Sequence, residues 1–407
     1  MYYSSGSTAL KTDAMIEPDE YQNRQTTARH AARDHGLCGI IVWSRGGSTQ
    51  DHYAEVYYLT GFYTHYPFIP DVSEVWRARG HCALALPVGG PSTLILDVMR
   101  RQAPEPIADN IVFTEDVVDG LACAVEETFS SRGDIGLLGG ESLAWRWGQA
   151  LLSRLETHRI IEADDIGASL RSIKTESEIR LIREAGALGA AAVDAAMAAA
   201  VPGALEAEVA AAAVRLVVAS GGAFYGMGLS SGPWAHTFSP SQPAAYSRRK
   251  IEAGDMVRLD IYGSVYGYLF DFGRSRVVGT RPTQEQQQLL AAVRDSVNAG
   301  TELLRPGQRL GWVADRCEEV FAESAYARRR GQPRHTMSGA WGHALGLDWG
   351  PPWITRDSTL EIRPGMYFAL ERRIEAPGLG GANYENNILV TEEGPEVVTP
   401  ATDEYMA

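Results

Sequence analysis

The sequence predicts two domains, an α/β domain followed by an α+β domain built on antiparallel strands. Up to about residue 167, short apolar runs alternate with helical segments, which is typical of an α/β arrangement. Beyond that point the strand-like runs cluster and contain hairpin turns such as Tyr262-Gly263-Ser264, so an antiparallel sheet flanked by helices is expected. Carboxylates also stand inside these later apolar runs, which indicates a buried polar site. We therefore assign residues 1–167 and 168–407 to the two domains.

In the first domain, the elements follow from apolar runs and turn residues. Residues 1–20 are polar and are expected to form a loosely docked arm. A Gly-Gly-Pro turn joins two of the predicted strands. The predicted elements are a helix at 21–35, strands at Gly39–Trp43, Cys82–Pro87 and Thr93–Asp97, and helices near 119–131 and 143–157.

The second domain opens with a long helix whose start and end are both marked. Thr175, followed three residues later by Glu178, forms a capping-box pattern, and Pro202-Gly203 ends the helix. Ile179 and Ile182 contribute to its apolar face. The other predicted elements are helices at 206–219, 284–304 and 310–324 and strands at 222–228, 255–262, 265–278, 337–343, 366–371, 385–390 and 396–398.

The net charge and the cysteine pattern exclude several classes of protein. A formal net charge of -14 argues against a nucleic-acid binder, which needs a basic surface. Four scattered cysteines without a CxxC pair argue against a disulfide framework or a zinc–sulfur site and favour reduced thiols. The amino terminus lacks an apolar signal core, and the most apolar long segment, residues 185–201, contains Asp194 and is typical of a packed helix. We expect a cytoplasmic protein without nucleic-acid or membrane partners.

Four carboxylates and one histidine in the C-terminal third indicate a metal centre. An ionised carboxylate in an apolar, strand-like run is expensive to bury unless it is paired or binds a metal. Several such carboxylates brought together without a cation would repel one another. Two divalent cations would satisfy the whole set, and oxygen-rich ligands with one imidazole suit Mn, Fe, Co or Zn. The candidate metal ligands are Asp260, Asp271, His343, Glu371 and Glu385.

These residues stand in stretches that resemble a known family. The stretches are IEAGDMVRLDIYGSVYGYLFDFGRSRVVG, GHALGLDWGPP, IRPGMYFALE and YENNILVTEEGPEVVT, and with SLRSIKTESEIRLIREA they cover most of residues 168–399. They resemble the pita-bread metallohydrolases, which include methionine aminopeptidase, aminopeptidase P, prolidase and creatinase. The resemblance implies a pita-bread fold for the second domain. It implies a creatinase-like fold for the first, where Tyr57–Phe62 looks like the YLTG element of those proteins.

The resemblance also implies a role for each ligand and a reaction. Asp260 would bind metal, Asp271 and Glu385 would bridge two metals, and His343 and Glu371 would share one of them. A water between the metals would lose a proton near neutral pH and hydrolyse an amide or peptide C–N bond.

Two further residues are candidates for catalysis. His236 follows a Gly-Pro loop shortly before Asp260, where the family carries a histidine, and the resemblance implies contact with the substrate or proton transfer to the leaving group. The alternative is a structural histidine. Asp348 lies five residues after His343, and a branch of the family that cleaves dimethylsulfoniopropionate by elimination uses an aspartate near this place as a base. The alternative is a turn-capping role.

Two departures from the family pattern concern the substrate. Proline-directed peptidases carry a second histidine where this chain has Gly350, and an arginine two residues before the bridging glutamate, where it has Asn383. Glu371 is followed by Arg372 instead of proline. Because the missing side chains help to hold the peptide, ordinary Xaa-Pro peptides are expected to be poor substrates. Three functions stay open: a metallohydrolase of a small molecule or short peptide, a metal-dependent lyase, and a catalytically silent binding module.

Aromatic residues bear on the substrate and on assembly. Several stand near the motifs and could enclose an apolar or cationic substrate, although most are expected to be packing residues. These are Tyr225, Trp234, Phe238, Trp341, Trp349 and Trp353. The resemblance implies a homodimer in which the first domain of one subunit borders the active site of the other, with Tyr57–Phe68, His52 and His65 as contributors. The alternative is that these aromatics pack within their own domain.

Overall fold

The computed structural model describes residues 16–45, 53–63, 80–97, 104–129, 133–237, 246–331 and 339–401. The chain forms two compact units that divide between Arg171 and Ser172. The boundary expected near residue 167 lies inside the helix that reaches this division, Asp164–Ser172. Within the described ranges, no helix combines the length and the apolar character needed to cross a bilayer.

The first unit is built around one mixed sheet of six strands. Its helices are α1 (Pro18–Asp34), α2 (Ala54–Thr60), α3 (Val117–Thr128), α4 (Trp145–Arg154) and α5 (Asp164–Ser172). Its strands are β1 (Gly39–Arg45), β2 (His81–Pro87), β3 (Thr93–Leu96), β4 (Asn110–Phe113), β5 (Ile135–Leu138) and β6 (Ile160–Glu162). The order is β4-β3-β2-β1-β5-β6, with β1 antiparallel to β2 and parallel to β5. This is the α/β arrangement that the alternating pattern predicts.

The first unit differs from the sequence-based prediction at a few places. Helix α1 begins at Pro18, so residues 18–20 belong to a helix and not to an arm, because proline fits the first helical turn. Residues 1–15 lie outside the described residues. Helix α3 begins at Val117, earlier than predicted, because the Asp116 side chain accepts a hydrogen bond from the Asp119 N–H and caps the helix. Strands β4 and β6 have four and three residues, which is too short for a clear sequence signal.

The second unit contains two antiparallel sheets. Its helices are α6 (Glu176–Ala199), α7 (Glu206–Ala219), α8 (Gln284–Thr301), α9 (Leu310–Glu323) and α10 (Ala325–Arg330). Its strands are β7 (Ala223–Ser231), β8 (Met256–Val265), β9 (Tyr268–Val277), β10 (Gly342–Leu345), β11 (Trp349–Trp353), β12 (Tyr367–Ala376), β13 (Gly380–Thr391) and β14 (Gly394–Val397). The sheet orders are β7-β8-β9 and β11-β10-β12-β13-β14. Helices α6 and α7 share an apolar core with the first of these sheets, and α8 and α9 share one with the second.

Capping and turn residues explain where the elements of the second unit begin and end. The predicted capping box is present, because the Thr175 hydroxyl accepts from the Glu178 N–H and the Glu178 carboxylate accepts from the Thr175 N–H. The turn predicted at 262–264 is wrong, because those residues continue β8. The chain reverses instead at Tyr266 and Gly267, which have φ angles of 48° and 83°.

The sequence gives no signal for β11. This strand contains Pro351 and Pro352, which disfavour a strand assignment because proline cannot donate to a ladder. It lies at the edge of its sheet, where proline is tolerated. Part of the strand expected at 337–343 lies outside the described residues, and β10 begins at Gly342.

Side chains join β9 of one sheet to β13 of the other. The Asp271 N–H donates to Asn387 Oδ1 at 3.0 Å, and Asn387 Nδ2 donates to the Asp271 carbonyl at 2.5 Å. Further along, the Asn383 N–H donates to Ser275 Oγ at 2.7 Å, and this hydroxyl donates to the Asn383 carbonyl at 3.2 Å. The Arg274 guanidinium also donates to the Glu385 carbonyl. These bonds fix the two sheets in one register, so residues on β9 and β13 face each other at defined places.

We predict that Gly342→Ala lowers stability strongly, whereas Gly350→Ala does not. Gly342 has a φ of 144°, and an added Cβ would lie 2.0 Å from the Ala369 carbonyl oxygen, which is backbone and cannot move aside. Strain of this kind costs on the order of 1–3 kcal/mol. Gly350 is the matched control, because a Cβ there meets nothing within 4 Å. Urea unfolding of both variants tests this, and equal midpoints would contradict it.

Candidate metal centre

The two hairpins of the second unit bring the four carboxylates together. Glu371 on β12 and Glu385 on β13 are directly paired across the ladder. On the other hairpin, Asp271 of β9 pairs with Tyr262, and Asp260 of β8 shares a face with Tyr262 because side chains alternate along a strand. Like charges placed directly opposite on a sheet destabilise it. The arrangement therefore needs a compensating positive charge.

All five predicted ligands meet in one buried centre. Asp271, His343 and Glu385 form one cluster, and Asp260, Glu371 and Glu385 form another. Within each cluster the ligand atoms lie within 4.8 Å of one another, and every member is buried. Glu385 belongs to both clusters, whereas Asp271, the other residue that the resemblance gives as a bridge, belongs to one. Glu371 groups with Asp260 here, whereas the resemblance pairs it with His343.

Burial and mutual repulsion disfavour ionisation of these carboxyl groups. Burial raises the pKa of Asp260, and it raises the pKa of Asp271 and Glu385 well above the ordinary range. Neighbouring carboxylates add to the effect, since Asp260 raises the pKa of Asp271 and Asp271 raises the pKa of Glu385. The charge of Arg373 acts in the opposite direction on all three.

His343 is held in the form that a metal ligand needs. Its Nδ1 lies 2.9 Å from the Ala344 carbonyl, which can only accept, so Nδ1 carries the proton. The other nitrogen, Nε2, lies 3.6 Å from Asp271 Oδ2. Burial lowers the pKa of His343, which favours the neutral imidazole. A neutral ring with an available Nε2 next to a carboxylate can coordinate a divalent cation.

Trp349 orients one of the carboxylates. Its indole Nε1 donates a hydrogen bond to Asp271 Oδ2 at 2.8 Å. The ring also makes an edge contact with Tyr262 at 5.0 Å, and Trp353 makes one with His343 at 5.5 Å. The sequence marks these tryptophans only as packing or enclosing residues. Their position depends on β11, which has no clear sequence signal.

Arg373 is a second site residue that the sequence does not single out. Its Nε lies 2.9 Å from Glu371 Oε2 and its Nη1 lies 3.7 Å from Asp260 Oδ2. Glu371 and Asp260 hold its pKa above the ordinary arginine value despite burial. The alternation of side chains along β12 is the one signal that could reveal it, since residue 373 shares the face of Glu371.

His236 and Asp348 each make a contact within their own loop. His236 Nδ1 lies 2.6 Å from the Pro233 carbonyl, and the ring stacks on Trp234 at 6.4 Å. Asp348 lies in the turn between β10 and β11, where its carbonyl accepts from the Gly346 N–H. Of the other aromatic candidates, Trp341 is a core residue and Trp234 is exposed, and Phe238 lies outside the described residues.

The donor set fits divalent cations. Both carboxylate oxygens of Glu385 are buried, and within the described part of the chain neither accepts a hydrogen bond from a donor; the same holds for Asp260 Oδ1. Buried polar atoms are normally paired, so these oxygens call for a cation. Carboxylates with one imidazole form the hard, oxygen-rich set that such cations prefer.

The sequence is similar to known metallopeptidases. The model of metallopeptidase family M24 matches residues 180–392. The chain is 34% identical to a probable dipeptidase PepE of Mycobacterium tuberculosis over 242 residues, 57% of this chain and 60% of that protein. It is 30% identical to an Xaa-Pro dipeptidase of Pyrococcus furiosus, over 60% of this chain and 67% of that one. The chain thus spans about 60% of the length of the PepE relatives it matches.

Solved structures share the fold. The prolidase from Pyrococcus horikoshii superposes with a TM-score of 0.76 at 21% identity, covering 94% of this chain and 99% of that chain. Dipeptidase PepE from Mycobacterium ulcerans gives a TM-score of 0.74 at 24% identity, covering 96% and 98%. Such identities establish the fold alone. They confirm the predicted fold class, an α/β domain followed by an α+β pita-bread domain.

We predict that Trp349→Phe weakens metal binding. The change removes the indole donor from Asp271 while keeping an aromatic ring against Tyr262. Loss of a hydrogen bond that orients a metal ligand typically lowers affinity about 10–100-fold. Titration with Mn²⁺ by calorimetry measures the effect. Trp353→Phe is the matched control, because this ring contacts His343 and, among the residues that the structure describes, donates no hydrogen bond to a carboxylate. Equal affinities in the two variants would argue against the orienting role.

We predict that the metal-free protein loses stability as pH rises above the ordinary carboxyl range of about 4. The pKa values of Asp271 and Glu385 are raised in the folded state, so the folded protein holds protons that the unfolded chain has released. That contribution is complete at low pH and disappears as pH passes through the raised pKa values. Urea unfolding in EDTA at several pH values measures it. Glu385→Gln should flatten the decline, and an unchanged slope in that variant would contradict this account.

Proposed function

Because this chain belongs to metallopeptidase family M24, we propose that it is a metallohydrolase that cleaves the amide bond of a short peptide or a related small molecule. The proposal depends mainly on one observation: five buried side chains lie close enough together to bind metal, namely Asp260, Asp271, His343, Glu371 and Glu385. Peptidase relatives that match more than half of the chain support a peptide-type substrate. The proposed cofactors are two divalent ions of Mn, Fe, Co or Zn.

Some residues of the centre would bind the ions, and others orient the residues that bind them. When bound, cations of this kind lower the pKa of water and polarise a carbonyl group. His343, Asp271 and Glu385 would hold one ion, and Asp260, Glu371 and Glu385 the other. Trp349 fixes the direction of the Asp271 carboxylate, and Arg373 fixes that of Glu371. Surrounding apolar strands exclude water, so the charges in the centre are weakly screened.

His236 is the proposed proton donor to the leaving amine. With Nδ1 donating to the Pro233 carbonyl, its Nε2 is the nitrogen that can take up and release a proton. Asp348 is the proposed base only if the reaction is an elimination. All five ligands are present and the relatives are peptidases, so hydrolysis has more support than elimination or a silent binding role.

The metal content and the fate of solvent oxygen test the proposal. Purified protein should bind close to two divalent ions per chain by elemental analysis, and Asp271→Ala or Glu385→Ala should lose metal and most activity. A panel of dipeptides, Xaa-Pro peptides and small amides run in oxygen-labelled water should give a labelled carboxylate product. Full activity in EDTA would refute the proposal. An unsaturated, unlabelled product would assign a lyase, and absence of stoichiometric metal uptake would assign a binding module.

We also propose that the protein is a cytoplasmic homodimer. All four cysteines are free, as expected in a reducing compartment. Of the residues proposed to border the partner's site, His52, His65 and positions 64–68 lie outside the described residues. Sedimentation at micromolar concentration should give a mass near twice 44.2 kDa. A stable monomer with full activity would exclude a shared active site.

A further inference from the structure

Arg372 is a buried cation that lies behind the proposed metal ligands. It follows Glu371 on β12, so its side chain stands on the opposite face of the strand. Leu370 and Ile374 share this face and belong to the apolar core between the sheet and the helices α8 and α9. Arg372 is 2% exposed, and within the described residues its Nε and Nη1 have no hydrogen-bond partner. Burying such a group is costly, and an apolar side chain could fill this space without the cost, so packing alone does not explain an arginine here.

Two aromatic rings contact the Arg372 guanidinium. Its Cζ lies 4.3 Å from the centre of the Trp341 ring and 4.5 Å from that of Phe321 on α9. A cation over an aromatic face is attracted by the ring, most strongly where water is excluded. Burial lowers the pKa of Arg372 to about 10, and the negative charge of Glu318, also on α9, acts against this decrease. The guanidinium therefore stays charged at neutral pH and joins α9 to Trp341.

Trp341 links the strands of two proposed metal ligands. Its carbonyl accepts a hydrogen bond from the Glu371 N–H at 2.9 Å. Only Gly342 separates it from His343, and this glycine is pressed against β12, where an added Cβ would lie 2.0 Å from the Ala369 carbonyl oxygen. A displacement of Trp341 would therefore move His343 relative to Glu371. These two ligands belong to different clusters of the centre.

We infer that Arg372 is a positioning residue for the metal centre: by holding the Trp341 ring from behind, it fixes His343 relative to Glu371. The inference rests on the metal centre of the proposed function. A divalent cation binds tightly only when its ligands are held at the right distances, and loss of a group that orients a ligand typically lowers affinity about 10–100-fold. Because Arg372 acts through Trp341, the two residues should affect metal binding as one unit.

Metal titration of four variants tests this role. Arg372→Met removes the charge and keeps an unbranched side chain, and its affinity for Mn²⁺, measured by calorimetry, should fall about 10–100-fold. Arg372→Lys keeps a cation near the rings and should recover part of the affinity. Trp341→Leu should lower the affinity to a similar extent, and the double variant should lose little more than either single variant. The visible bands of bound Co²⁺, which report ligand geometry, should shift in the same variants.

Leu310→Ala is the matched control for a loss of stability. Leu310 is fully buried in the same apolar core, at the start of α9, so its truncation weakens the core while the arginine and the tryptophan stay in place. This variant should unfold at a lower urea concentration than wild type. It should keep the wild-type affinity for Mn²⁺ and the wild-type Co²⁺ bands.

Hydrogen exchange in EDTA gives a readout that needs no metal. The Glu371 N–H, which is bonded to the Trp341 carbonyl, should exchange faster in Arg372→Met than in wild type or in Leu310→Ala. If the wild type takes up no Mn²⁺, the proposed metal centre is refuted, while the exchange rate still decides whether Arg372 holds Trp341. Equal exchange and equal affinity in wild type and Arg372→Met would overturn the inference, as would additive losses in the double variant. Should Arg372→Met fail to fold, Arg372→Lys and Trp341→Leu are measured alone, and unchanged affinity in both would overturn it.

Discussion

The second unit depends on holding four carboxylates together away from water. Burial and like-charge repulsion both act against the ionised state, as the raised pKa values of Asp271 and Glu385 show. Two donors moderate this cost without metal, since Trp349 donates to Asp271 and Arg373 pairs with Glu371. Neither removes it, because in the described part of the chain neither carboxylate oxygen of Glu385 accepts a hydrogen bond from a donor. An unpaired buried charge is among the most destabilising features a fold can carry. The centre therefore makes physical sense as a cation site rather than as a structural network.

Metal binding would strengthen the association of the two sheets, because each sheet supplies two of the four carboxylates. Asp260 and Asp271 come from the hairpin β8–β9, whereas Glu371 and Glu385 come from β12–β13. In the described ranges these two sheets share no ladder, so a cation bound by both hairpins would join them and add its binding energy to the stability of the folded state. The bonds from Asn387 to Asp271 and between Ser275 and Asn383 set the register beforehand. The site is thus largely preformed, which limits the ordering that a metal must impose.

The sequence reveals the residues whose local surroundings are unusual and misses those whose role depends on register. Asp260, Asp271 and Glu371 can be found because a carboxylate inside an apolar run is costly and therefore rare. Trp349 cannot be found in this way, because it reaches Asp271 only through an edge strand with two prolines. The local sequence does not mark Arg373, and its place on the face of Glu371 follows only once β12 is recognised as a strand. For the same reason, the helices with caps and periodic apolar faces are predicted well, while the turn at Tyr266 and Gly267 is misplaced by a few residues.

One departure from the family pattern, Asn383, is coupled to its neighbours Gly273 and Arg373. Asn383 is fully buried, and a Cβ at Gly273 would lie 1.9 Å from its amide nitrogen, so Asn383 fits because residue 273 has no side chain. Arg373 is the direct partner of Asn383 across the ladder. An arginine at position 383 would project from the same face and bring two guanidinium groups side by side, which like-charge repulsion disfavours. In this chain the guanidinium of the β12–β13 hairpin comes from Arg373 on β12, whereas the family pattern places it at position 383 on β13. A single substitution at 383 therefore cannot restore the family arrangement, and the charge can be moved only by changing positions 373 and 383 together.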